Sequence, residues 1–134
     1  MKPYLHEVKY YETDKMGVTH HSNYIRFMEE ARLDWMDQLG YGFERMEAEG
    51  IVSPVLSVSC NYKKTTTFKD VIEITPRVKQ LGEVKLTIAY EMRVGGELVC
   101  TGETVHCFFD AGRPARIAER FPALYEAMRA TIAE

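Results

Sequence analysis

The run Tyr10-Tyr11-Glu12-Thr13-Asp14-Lys15-Met16-Gly17-Val18-Thr19-His20-His21-Ser22-Asn23-Tyr24 gathers acids, hydroxyls, a glycine and two histidines just ahead of a helical pattern. Free N–H groups in a first helical turn, together with the helix dipole, favour negative charge. A carbonyl under nucleophilic attack gains negative charge on its oxygen. Donors aimed at that oxygen stabilise the transition state more than the ground state. A carboxylate a few residues upstream can reach the carbonyl carbon, or a water beside it, and act as general base. Asp14 is the acid so placed.

These residues need a scaffold. Tyr4, His6, Val8 and Tyr10 alternate and predict a strand over 4–10. Residues 11–21 are irregular, with Gly17 as punctuation. Tyr24, Phe27, Met28, Ala31, Trp35 and Leu39 repeat at helical spacing over 22–39, with Ser22 as N-cap and Gly40 as stop. A short helix is expected over 43–49, closed by Gly50. Strands follow over 55–62, 71–79, 84–94 and 97–109, with Pro76 marking an edge or bulge and Gly95-Gly96 a tight hairpin. Phe121, Leu124, Tyr125, Met128 and Ile132 predict a terminal helix with Pro122 in its first turn. Short connections make the later strands antiparallel. A sheet with one apolar face must cover it, and the long helix is the cover. The expected fold is α+β, a curved antiparallel sheet wrapped around one long central helix, plus a C-terminal helix, in a single domain over 1–134.

The chain has 134 residues, 46% of them apolar, and a net charge of −3. No basic stripe announces a nucleic-acid partner. No run of about 18 apolar residues exists, so membrane insertion is not expected. Residues 1–10 lack the apolar run of a signal peptide. Cys60, Cys100 and Cys107 form no Cys-x-x-Cys pair and are odd in number, which reads as reduced thiols in a cytoplasmic protein. With only four histidines, the pair His20-His21 lacks the further ligands of a metal site, and no metal or other cofactor is expected. His6 and His106 read as strand positions without catalytic context. Glu29 and Glu30 read as a solvated helix face or subunit contact, Arg32 as partner of a nearby acid or a residue spanning an interface, and Tyr62 and Phe68 as core. No Gly-x-Ser-x-Gly elbow is present, so a Ser-His-Asp triad is not used.

Tyr11-Glu12-Thr13-Asp14, Gly17-Val18, His21-Ser22-Asn23-Tyr24, Phe27-Met28-Glu29 and Ala31-Arg32 together closely resemble the opening of hotdog-fold thioesterases. The nearest branch is the group of 4-hydroxybenzoyl-CoA and Tol-Pal-associated acyl-CoA thioesterases, and the likeness continues through Ser57 to Asp70. The resemblance implies hydrolysis of acyl-CoA to a carboxylic acid and CoA, an acyl-carrier-protein thioester being a further option. It makes Asp14 the catalytic nucleophile or general base. Gly17 and Val18 form the loop that turns into the helix. The backbone N–H of His21 polarises the thioester carbonyl, its imidazole is also a site residue in the acyl-CoA branch, and Tyr24 lines the pocket. It also implies a homodimer or homotetramer with the cleft between subunits. Thr19-His20 departs from the usual bulky apolar or tyrosine pair, which reshapes the acyl pocket. The cations for the CoA phosphates are to be found among Lys63, Lys64, Arg93, Arg113 and Arg116. Two other readings stay open: a hotdog hydratase or dehydratase, and a non-catalytic acyl-CoA-binding module.

Overall fold

The computed structural model describes residues 1–132. The elements in order are β1 (Tyr4–Glu7), a 3-10 turn (Tyr10–Glu12), α1 (Ser22–Gln38), α2 (Phe43–Ala48), β2 (Val55–Tyr62), β3 (Val71–Leu81), β4 (Lys85–Val94), β5 (Glu97–Cys107), the short pair β6 (Phe109–Asp110) and β7 (Arg113–Pro114), α3 (Ile117–Arg120) and α4 (Pro122–Ile132). The five long strands form one antiparallel sheet in the order β1-β3-β4-β5-β2.

The core lies between this sheet and α1. The helix buries Tyr24, Phe27, Met28, Ala31 and Trp35, and the sheet meets them with Ile72 and Ile74 from β3, Ile88, Tyr90 and Met92 from β4, and Cys100 from β5. Full burial of each large side chain contributes about 1.5–3 kcal/mol, so this seam holds α1 in place. The opposite sheet face is polar, with Lys79 on β3 paired to Glu103 on β5. At the far end α4 buries Leu124 and Met128 and packs against β3.

The structure departs from the sequence reading in several places. The first strand stops at Glu7 instead of running to Tyr10, because Val8 turns to bond Asp70 and the chain then winds into the 3-10 turn. The last strand ends at Cys107, and the two-residue pair β6–β7 follows. His21, not Ser22, occupies the N-cap of α1, since Ser22 already has helical geometry and its hydroxyl bonds His20 Nδ1 at 2.8 Å. Pro76 lies in β3 beyond Ile74, the last residue that β1 pairs, so its missing N–H faces an open edge.

Strand β2 is an edge, and nearly all of it is exposed, including Val55, Leu56, Val58 and Tyr62. Tyr62 and Phe68 are therefore not core, being 49% and 43% exposed.

Candidate active site

Asp14 opens a tight turn. Its backbone oxygen accepts the Gly17 amide at 3.0 Å, its own amide bonds Val18 O at 2.9 Å, and Gly17 holds a positive φ of 79° that a side chain would strain. An isolated bridge pairs Thr13 with Thr19 across the turn, and another ties Val18 to Thr67. Thr67 also donates its hydroxyl to Gly17 O at 2.7 Å. The turn is thus fixed from both sides. Asp14 Oδ1 accepts the Met16 amide at 2.8 Å, and Oδ2 has no partner among the described residues.

Asp14, Val18, His21 and Tyr24 line one cleft of about 370 Å³ together with Met16, Thr19, Tyr62, Lys63, Lys64 and Thr65. Gly17 shapes the turn without lining the cleft. Four of the five residues picked from the sequence therefore meet at one place, and β2 and the segment after it supply the facing wall.

At the helix start the free amides are fewer than the sequence reading assumed. The Asn23 amide bonds His20 O at 3.0 Å, the Tyr24 amide bonds His21 O at 3.2 Å, and the Ser22 amide bonds His20 Nδ1 at 3.2 Å. The His21 amide has no acceptor among the described residues. The chain winds one turn early, from His20, and that consumes the others. The donor left over is the one at the position the sequence singled out. The His21 ring is exposed, lying 4.2 Å from the His20 ring and edge-on to Tyr62 at 6.2 Å.

Tyr24 is buried, with its hydroxyl bonded to Thr66 Oγ1 at 2.9 Å, and Thr66 Oγ1 meets Thr19 Oγ1 at 2.6 Å. Burial pushes the Tyr24 phenol above its ordinary range. Tyr62 lies beside it with ring centroids 5.3 Å apart and donates its hydroxyl to His21 O at 3.3 Å. Desolvation and the adjacent Cys60 push the Tyr62 phenol up to about 12. Both phenols stay protonated at neutral pH; Tyr62 holds the His21 carbonyl, and Tyr24 holds Thr66.

Of the candidate cations, Lys63 and Lys64 border the cleft. Lys64 pairs with Glu97 at 3.0 Å in an exposed contact, and Lys63 has no ion pair among the described residues. Arg93 pairs with Glu91 at 3.0 Å, and Arg116 with Glu119 at 3.5 Å, both away from Asp14. Arg32 donates to Tyr90 Oη at 3.4 Å and pairs with no acid among the described residues. Glu29 is exposed as expected, but Glu30 turns Oε2 inward to a buried position. Among the described residues no three His, Cys, Asp or Glu side chains are placed to hold a metal ion, and no helix is long and apolar enough to cross a membrane. The cysteines are free, with Cys100 and Cys107 buried.

A curved antiparallel sheet around one long helix, with a carboxylate turn opening at the helix start, is the architecture of the hotdog class. The sequence profile of the Thioesterase-like superfamily matches residues 8–129. The chain is 33% identical over 110 residues to a putative esterase of Aquifex aeolicus, covering 82% of this chain and 86% of that one. It is 29% identical over 119 residues to the putative acyl-CoA thioesterase YneP of Bacillus subtilis, covering 87% and 86%. A DHNA-CoA thioesterase structure from Staphylococcus aureus superposes with a TM-score of 0.90 at 35% identity, covering 98% of this chain and 91% of that one. The chain belongs to the thioesterase-like superfamily and is a hotdog-fold thioester hydrolase.

Proposed function

We propose that this protein hydrolyses acyl-CoA thioesters in the Asp14 cleft. The observation that carries the reading is that one cleft holds an acid with one oxygen unbonded, and a helix-start amide without an acceptor, among the described residues. The substrate carbonyl oxygen sits on the His21 N–H. Asp14 Oδ2 takes a proton from water as the water oxygen attacks the carbonyl carbon. The C–S bond then breaks, the departing thiolate sulfur takes the proton back from Asp14, and CoA thiol and the carboxylic acid are released. Direct attack by Asp14 through an anhydride uses the same geometry. The Met16 amide orients the carboxylate in either case. Lys63 and Lys64 lie where they can meet the CoA phosphates.

The reaction is that of a cytoplasmic enzyme acting on small acyl-CoA molecules, with acyl-carrier-protein thioesters as a second substrate class. The unpaired edge of β2, lined with exposed Val55, Leu56 and Val58, supports a homodimer that completes the cleft. Sedimentation at micromolar concentration should give twice the mass of the chain. A thiol-release assay across short, long and aromatic acyl-CoAs, run beside Asp14→Asn, tests the chemistry. The variant should fold normally and lose about 10²-fold or more in kcat, the lower range for a removed general base. Near wild-type turnover by the variant would remove Asp14 from the mechanism.

A further inference from the structure

Two residues before Asp14, Glu12 is 3% exposed. Its Oε1 meets His6 Nε2 at 2.8 Å and accepts the Lys9 amide at 2.8 Å. His6, on β1, is itself 8% exposed, and its other ring nitrogen, Nδ1, faces Glu30 Oε2 at 3.4 Å. That oxygen is buried, with no hydrogen bond of its own among the described residues. The Phe27 ring lies 4.1 Å from the imidazole, tilted by 34°, and closes the remaining side. Tyr4 and Asp34 are further ionisable groups in this neighbourhood. Burial, followed by the charges of Glu30, Asp34 and Glu12, raises the Tyr4 phenol above the ordinary range. Lys9 points its ammonium to Glu7 on the surface instead.

Glu12 is also a backbone anchor. Its carbonyl oxygen accepts both the His20 amide at 2.8 Å and Asn23 Nδ2 at 2.9 Å. The segment that carries Asp14 and leads to His21 therefore starts at Glu12 and is tied back to it at His20 and Asn23. One residue, its side chain gripped by His6 and its carbonyl holding His20 and Asn23, sets both ends of the loop. Burying an acid and an imidazole costs more than burying two apolar side chains of the same size, and stability alone does not favour it. What such an arrangement adds is directional constraint.

We propose that Glu12, His6 and Glu30 form a buried positioning clamp that fixes the spacing between the Asp14 carboxylate and the His21 amide. The clamp touches no substrate and acts through the loop. It rests on the reading of Asp14 and His21 as the hydrolytic pair. His6 bridges the two acids, so β1, the loop and α1 move as one body. Loss of the bridge lets the loop drift relative to the helix start, and a displacement of about 1 Å at a reacting centre costs about 10²-fold in rate.

The test measures kcat and KM for thiol release in wild type, Asp14→Asn, His6→Phe, His6→Gln and Glu30→Gln. Thermal melts confirm that each is folded. His6→Phe keeps the ring against Phe27 and removes both nitrogens. It should lower kcat at least about tenfold with KM nearly unchanged, and His6→Gln, which restores an amide donor toward Glu12, should recover part of the loss. If His6→Phe does not fold, Glu30→Gln carries the test, since that side chain is 39% exposed at the rim. It should lower kcat without raising KM. Wild-type kcat in the folded clamp variants, or a rise in KM alone, overturns the clamp while an inactive Asp14→Asn leaves the hydrolytic reading intact. An active Asp14→Asn overturns the hydrolytic reading itself.

Discussion

His106 shows how a single buried group records the cost of its surroundings. Its Nε2 meets Thr104 Oγ1 at 2.8 Å, Thr104 Oγ1 meets Tyr90 Oη at 2.7 Å, and Tyr90 Oη accepts from Arg32. One direction of donation satisfies the whole chain: Arg32 donates to Tyr90, Tyr90 to Thr104, and Thr104 to a neutral imidazole. Burial first, and then the Arg32 charge, lower the His106 pKa to about 4 from 6.5. Between those values the unfolded chain binds the proton and the folded chain does not. Stability therefore falls as the pH drops from about 6.5 toward 4, with a slope of up to about 1.4 kcal/mol per pH unit from this group. Urea melts at pH 4.5 and 6.5 should show a smaller difference for His106→Gln than for wild type. Equal differences would mean that the imidazole titrates freely in the folded state. The same network accounts for Arg32, which the sequence assigned to an acid or an interface and which here ends on a phenol.

At the scale of elements, α1 reaches the sheet because β5 makes room for it. A Cβ on Gly102 would lie 2.6 Å from Met28 Sδ and 3.0 Å from Ser59 O. Met28 can swing, but the β2 carbonyl cannot without bending the edge strand. Gly102→Ala should cost about 1–3 kcal/mol, the usual range for overpacking, and lower the urea midpoint without changing the slope. A midpoint equal to wild type would show that the seam is loose there. The long elements were legible in the sequence because their signals are local. The 3.6-residue period of Tyr24, Phe27, Met28, Ala31 and Trp35 names the buried face of α1 directly. The hairpin at Gly95-Gly96 was equally plain. The 3-10 turn over Tyr10–Glu12 was hidden inside an alternating pattern that looks like strand. The facing wall of the cleft was hidden for another reason. Tyr62 alternates with Cys60 and Val58 like any half-buried strand residue, and only the strand order puts β2 at an edge where those side chains meet a cleft or solvent. The choice of Lys63 and Lys64 over Arg93, Arg113 and Arg116 also needs the third dimension. His6 had no local sign of its role, since its partners come from the loop and from α1.

For the whole molecule, the sheet has two ends of different character. β2 offers eight residues of open edge, with Leu56 and Val58 uncovered on the face that β5 pairs through Thr104. If two copies join there, Val58→Lys should yield monomers in sedimentation and lower turnover together. A monomeric variant with full activity would separate assembly from the cleft. At the other end, β1 is four residues long, and beyond it the exposed margin of β3 carries Pro76. That margin lacks an N–H where an added strand would look for one. Pairing about a two-fold axis uses up the same edge in both copies at once. If the copies pair that way, the other end offers a third copy only the four residues of β1 and a margin broken by Pro76, which works against growth of the sheet into a filament.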